Sequence, residues 1–302
     1  MKAMAMLIAA MALAGSSVVV GKMLAGSLPV FITAFSSLLV ALCCMLPLMV
    51  GRFAELRRLT RREWGYLMLQ GLCGIVLFRV LTLYGLHFTG AVQAGLITGA
   101  TPAVMALLSA TFLGERFTRR SILAIALAVA GCLAINLNTE SAPSEGRLAG
   151  GLLVGGAVVC EALFTIFRKR ISASVAATTN TFVLIFCSLL LLAPPAAVEL
   201  TRVALSPSPG DILAVFYYGA FATVVAYLLW TAAVGEVSGM MAGVATAAMP
   251  VTSVFLAVMV LGERPHLMHL TGALLVVAAI LVSALAPSPS AAAIQGGDHN
   301  SR

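Results

Sequence analysis

The sequence predicts an all-α membrane protein with ten transmembrane helices arranged as two inverted five-helix repeats. Three observations carry that prediction. The 302-residue chain is 61% hydrophobic and 10% charged, with a mean hydropathy of +1.06. Soluble domains hold about 45–50% apolar and about 25% charged residues, so this much apolar surface can be hidden only in lipid. Apolar runs of spanning length recur from end to end. The second half of the chain also partly repeats the first.

Helices are expected near 4–25, 29–50, 65–87, 90–112, 121–138, 148–170, 179–199, 210–235, 237–260 and 267–287. The runs are continuous rather than alternating, which favours helices over barrel strands. About 20 residues cross the roughly 30 Å of hydrocarbon and satisfy their own backbone amides. The first segment begins with Lys2 and passes Ala12-Leu13-Ala14-Gly15, a pattern shared with signal peptides. Its apolar run continues through Val18, Val19 and Val20, so it is read as a spanning helix. The third segment follows an arginine-rich loop and carries Arg79. The fourth and ninth contain Pro102 and Pro250, which remove a helix hydrogen bond and should kink them. The sixth carries Glu161, and the eighth carries Tyr227 and Trp230. The tenth runs into a tail, 288–302, rich in Ser, Ala and Gly and expected to be disordered.

Loop charges give the orientation. With a cytoplasmic N-terminus, the cytoplasmic side holds Lys2, Arg52, Arg57, Arg58, Arg61, Arg62, Arg116, Arg119, Arg120, Arg168, Lys169, Arg170 and Arg302. The other side holds Arg147, Arg202 and Arg264. Basic residues concentrate on the cytoplasmic side of membrane proteins, so both termini are expected inside, in the inner (plasma) membrane. The same distribution accounts for the net charge of +7 and pI near 9.4. No basic stripe interleaved with aromatics suggests nucleic acid as a partner.

Moving the sequence by 148 residues superposes Gly71 on Gly219, Gly95 on Gly243 and Pro102 on Pro250. It also brings Leu113-Gly114-Glu115-Arg116 onto Leu261-Gly262-Glu263-Arg264. The repeats are expected at 4–138 and 148–287. Five is odd, so the second repeat enters the membrane from the opposite side. Inverted repeats build carriers whose site lies near the midplane between the halves.

Glu161 lies near the expected bilayer centre, where a carboxylate costs about 2.5–3.5 kcal/mol and should face the interior or water. It is read as a proton-coupling or cation-recognising group, against a purely structural hydrogen-bonding role. Arg79 could bind a substrate carboxylate or simply neutralise Glu161. Its repeat-related position is Tyr227. Tyr84, Gln93, Tyr227 and Trp230 are candidate cavity groups, with interfacial or interhelical contacts as the alternative. Glu115, Arg116, Glu263 and Arg264 are explained by pairing and anchoring at the membrane surface. Gly95-xxx-Gly99 and Gly151-xxx-Gly155 are read as helix-packing motifs. The six cysteines lie inside apolar runs without a CxxC partner and read as buried hydrophobes. No zinc spacing, Walker A loop or hydrolase motif is present, so neither metal, cofactor nor catalysis is expected.

The stretch Gly71–Asn136, with Tyr84-Gly85-Leu86, Pro102 and Gly114-Glu115-Arg116, resembles an EamA domain. Gly219–Ser283 resembles a second, with Tyr227-Leu228-Leu229-Trp230, Pro250 and Gly262-Glu263-Arg264. The chain is thus similar to EamA-type drug/metabolite transporters over nearly its full length. The resemblance implies a central cavity lined mainly by the first, third, fourth, sixth, eighth and ninth helices. Lys22 stands where a Lys is common in that family, and Lys169 roughly matches it in the sixth helix; snorkelling to the interface is the other reading of both. The resulting expectation is a secondary exporter of a small polar metabolite, an amino acid or a derivative such as a metallophore, with protons as a possible coupling ion. Uptake of a vitamin or other metabolite is the alternative, and a lipid-modifying enzyme is the reading from another class. Oligomeric state is not legible.

Overall fold

The computed structural model describes residues 2–113, 144–171, 175–234, 245–246, 248–265 and 267–284, with a few single positions between 119 and 134. Every regular element among the described residues is helical. In chain order they are α1 (Lys2–Ala25), α2 (Val30–Met49), the single turn α3 (Phe53–Leu56), α4 (Arg61–Gly71), α5 (Phe78–Phe88), α6 (Ala91–Thr98) and α7 (Thr101–Leu113). There follow α8 (Ser144–Lys169), α9 (Ala177–Arg202), α10 (Pro209–Gly219), α11 (Ala226–Ala233), α12 (Ala248–Leu261) and α13 (Leu267–Ala284). The fifth expected helix, Glu115, Arg116 and the tail 288–302 lie outside the described residues, apart from single positions of that helix.

Among the described residues, six stretches are long and apolar enough to cross a membrane: Lys2–Ala25, Val30–Met49, Arg61–Phe88, Leu148–Arg168, Ala177–Arg202 and Pro209–Ala233. Large apolar side chains such as Leu152, Leu190, Leu213, Met259 and Leu274 point outward. In water such a surface would aggregate; in lipid it is the favourable one. The protein is a multi-pass membrane protein.

Two helical stretches are built alike. Thr60 caps α4, its hydroxyl accepting from the Glu63 amide while the Glu63 carboxylate accepts from the Thr60 amide. Ser208 and Asp211 form the same reciprocal box before α10. Each box satisfies two donors that a helix start leaves open. α4 then passes into α5 through a π-helical turn at Leu72–Leu77, and α10 passes into α11 through another at Ala220–Val225. Cap, helix and π turn all recur at the 148-residue offset found in the sequence. The expected span 65–87 is therefore a helix from Arg61 to Phe88 with one widened turn inside it.

The expected helix 90–112 is broken into α6 and α7 at Gly99-Ala100. Pro102 is the cause: it has no amide to offer the Thr98 carbonyl, so the ladder cannot run through. Pro250 is buried in the first described turn of α12. Gly262, at φ +66°, ends α12 in the left-handed region that suits glycine. That gives one copy of the Leu-Gly-Glu-Arg motif a structural reason.

The N-terminal helices pack largely on C-terminal ones: α2 on α9, α5 on α8, and α1 on α12 and α11. One apolar cluster joins Leu38, Met45, Ile75, Leu184 and Ile185; a second joins Val18, Leu86, Val92, Val158 and Met249. A side chain on Gly95 would run into Ser253, and one on Gly99 into Val276, as their packing motif implies. Gly155, by contrast, faces open space, so its motif serves no close helix contact there.

Candidate functional site

A cavity of about 100 Å³ lies between α1, α5, α7, α8, α10, α11, α12 and the two π turns. Its lining falls on the first, third, fourth, sixth, eighth and ninth expected helices. Ala10, Ala14, Gly74, Ala222 and Ala226 leave the space; Arg79, Thr101, Glu161, Tyr218 and Tyr227 make it polar. The π turns aim two of these groups. A π turn inserts an extra residue and so rotates the helix that follows. Arg79 and Tyr227 each stand two residues beyond one.

Arg79 is buried and reaches across to the other half. Its guanidinium donates to Ser37 Oγ and Thr223 Oγ1, both at 2.6 Å, and lies 4.4 Å from the centroid of the Tyr218 ring. Thr223 belongs to the second π turn and donates in turn to the Tyr218 carbonyl at 2.8 Å. Tyr227 makes the reverse reach: its hydroxyl donates to the carbonyl of Gly74, in the first π turn, at 2.8 Å. The equivalent positions 79 and 227 thus each bond to the other's π turn. Burying a cation costs several kcal/mol. Two hydrogen bonds to a charged group, about 1.5–3 kcal/mol each, and a desolvated cation–π contact of about 2 kcal/mol are of the size needed to hold it. No acidic group is required.

Glu161 is half-buried in α8 and faces the same cavity. Its Oε2 lies 2.8 Å from Thr101 Oγ1, which is also 2.7 Å from the Thr98 carbonyl. Among the described residues Glu161 and Arg79 form no ion pair; hydroxyls hold both. The direct pairing of Arg79 with Glu161 that the sequence left open is not seen among the described residues. One cavity thus holds a guanidinium and a carboxyl group, each bonded to hydroxyls.

Trp230 also lines the cavity and packs against the small cluster of Leu7, Ala233 and Ala245. The other candidates lie elsewhere. Tyr84 packs edge-on against Phe31, with centroids 6.0 Å apart. Gln93 is buried within α6, outside the cavity lining. Lys22 Nζ donates to the carbonyls of Leu86 and Thr89 at 2.6 and 2.8 Å, at the end of α5. Glu263 accepts from the amides of Ala91 and Val92 at 2.8 and 2.9 Å, at the start of α6. Each charge complements the helix end it touches. Lys22 therefore does not merely snorkel, and Glu263 clamps a turn between helices rather than anchoring only at the surface. Arg264 is exposed.

Sequence reading did not select Ser37, Thr101, Tyr218 or Thr223. Hydroxyls are common in apolar helices, and the partners of these four are up to 144 residues away. Only Thr101 had a usable signal, since it immediately precedes Pro102.

The family model described as EamA-like transporter family matches residues 1–137 and again 148–285. The chain belongs to the EamA-like transporter family. It is 34% identical over 285 residues to the uncharacterized transporter YetK of Bacillus subtilis strain 168, covering 92% of this chain and 86% of that one. The uncharacterized transporter YyaM of the same organism is 25% identical over 232 residues, covering 75% and 74%. A solved crystal structure superposes with a TM-score of 0.64 at 19% identity, covering 93% of this chain and 96% of that one, a likeness of fold alone. The cavity gathers charged and aromatic side chains between helices, a combination typical of small-molecule sites.

Proposed function

We propose that this protein is a secondary exporter of a small zwitterionic metabolite, an amino acid or an amino-acid derivative. The observation that carries the reading is the separation of Arg79 and Glu161 within one cavity. Arg79 presents a fixed cation to a substrate carboxylate. Glu161 presents a carboxylate to a substrate ammonium, or holds a proton when the ammonium is absent. Competition between the two at Glu161 couples export to proton entry. Tyr227 and Trp230 supply apolar wall beside the charges.

The architecture behind this reading is ten helices in two inverted halves, 4–138 and 148–287, with both termini cytoplasmic in the inner membrane. The recurring capping boxes and π turns support it, as do the two family matches. Rocking of the halves opens the cavity to each side in turn. The test is net efflux from proteoliposomes loaded with a mixture of the proteinogenic amino acids and diluted into substrate-free buffer, with lumenal pH followed by a trapped dye. Efflux of at least one amino acid with matching lumenal acidification is expected; efflux of none of them would overturn the amino-acid reading, and efflux without acidification would overturn the proton coupling.

A further inference from the structure

We propose that Thr101 is a positioning residue that ties the charge on Glu161 to the break between α6 and α7. The inference rests on Glu161 being the proton-carrying group of the transport cycle. Pro102 leaves the Thr98 carbonyl, four residues earlier, without its ordinary helical donor. The Thr101 hydroxyl takes that place at 2.7 Å. The same oxygen lies 2.8 Å from Glu161 Oε2. A hydroxyl has one proton to donate, and two acceptors stand around it.

The charge on Glu161 decides between them. A carboxylate draws the proton, because a charge-assisted hydrogen bond is about twice as strong as a neutral one. The Thr98 carbonyl is then left without its donor. A protonated carboxyl instead donates to Thr101 Oγ1, and the hydroxyl turns back to Thr98. A substrate ammonium that pairs with Glu161 weakens the carboxylate's hold on the hydroxyl but supplies the hydroxyl with no donor. The backbone beside Thr98 is therefore satisfied in one charge state and deprived in the other. Gly99 and Ala100 form the joint that absorbs the difference, with tight turns onto Leu96 and Ile97 at 3.1 and 3.0 Å. Proton release loosens the joint and protonation closes it, which converts chemistry at Glu161 into motion of α6 against α7.

The other titratable groups lining the cavity are Arg79 on α5, Tyr218 on α10 and Tyr227 on α11; among the described residues α1, α7 and α12 bring none to it. Cys73 in the first π turn sits near Cys160, outside the cavity lining. Arg79 has its own hydroxyl partners, and Tyr227 bonds to Gly74. Among the described residues, Thr101 is the group bonded directly to the Glu161 carboxyl.

The experiment is an infrared pH titration of the full chain in lipid nanodiscs, which needs no substrate. The wild type should show a carboxyl band that Glu161→Gln removes, with an amide change that follows the same titration. Thr101→Val should keep the carboxyl band, displaced to that of a more weakly bonded acid, and lose the amide change. Thr101→Ser should restore both. Pro102→Ala returns a backbone donor to Thr98, so it should keep the carboxyl band and lose the amide change. A full wild-type amide change in Thr101→Val or Pro102→Ala would overturn the link and leave Glu161 as the proton carrier. If Glu161→Gln removes no titrating band, the proton-carrier reading falls as well.

Discussion

Arg79 is held by two hydroxyls and an aromatic face, and this makes its replacement informative. Lysine keeps the charge but cannot donate to Ser37 and Thr223 from two nitrogens while a third group lies over the Tyr218 ring. Arg79→Lys is expected to weaken apparent substrate affinity about tenfold, equivalent to about 1.4 kcal/mol, with the protein level unchanged. Counterflow at graded substrate concentrations measures it. Wild-type affinity in the lysine variant would show that the bidentate geometry is unused. For Glu161 the prediction concerns pH. If proton and ammonium compete for one carboxylate, apparent affinity weakens as pH falls in the wild type. Glu161→Gln should give flux independent of pH; a retained pH dependence would remove Glu161 from the coupling step. Both residues stood out in the sequence because charges inside apolar segments are costly and so have a purpose. Their partners did not. Ser37, Thr101 and Thr223 are unremarkable hydroxyls until folding sets a charge beside each.

At the scale of elements, the π turns and the broken fourth helix do most to shape the cavity. The first π turn brings Arg79 to the second half, and the second brings Tyr227 to the first. The α5–α6 turn is fixed from outside by Lys22 on one helix end and Glu263 on the next. Removing the Glu263 carboxylate leaves the Ala91 and Val92 amides without their acceptor. A lost helix cap costs about 0.5–2 kcal/mol, so Glu263→Ala should lower the thermal midpoint in detergent by a few degrees. Glu263→Asp should recover less than Glu263→Gln, because the shorter chain falls short of the amides. An unchanged midpoint in the alanine variant would mean that the clamp does not contribute to stability. Pro102 was legible as a site of bending. That Pro102 would divide a helix into two, with Thr101 covering the freed carbonyl, was not, because it depends on where the carbonyl's substitute donor points.

For the molecule as a whole, the proposed inverted halves place the loop before Gly65 and the segment after Arg170 on one side of the membrane. Cysteines introduced at Arg58 and Ser172 should react with a membrane-impermeant reagent from the same side. Labelling from opposite sides would break the topology, and the transport cycle built on it. Direction follows from comparing metabolites in medium and cytosol with and without the protein; enrichment of a zwitterion in the medium is expected, and accumulation inside would assign uptake.

Composition, apolar run lengths and the 148-residue echo were enough to place this chain in lipid as a helical carrier, since the hydrocarbon interior tolerates few other solutions for the backbone. The family match and the packing of N-terminal on C-terminal helices agree with that reading of class. What only the tertiary structure decided is which polar groups meet. Arg79 and Glu161 share a cavity yet do not pair, Tyr84 and Gln93 lie outside it, and Lys22 serves a helix end. Such meetings join residues far apart in the chain, and their energies depend on direction and distance over a few ångströms, quantities that residue order alone does not contain.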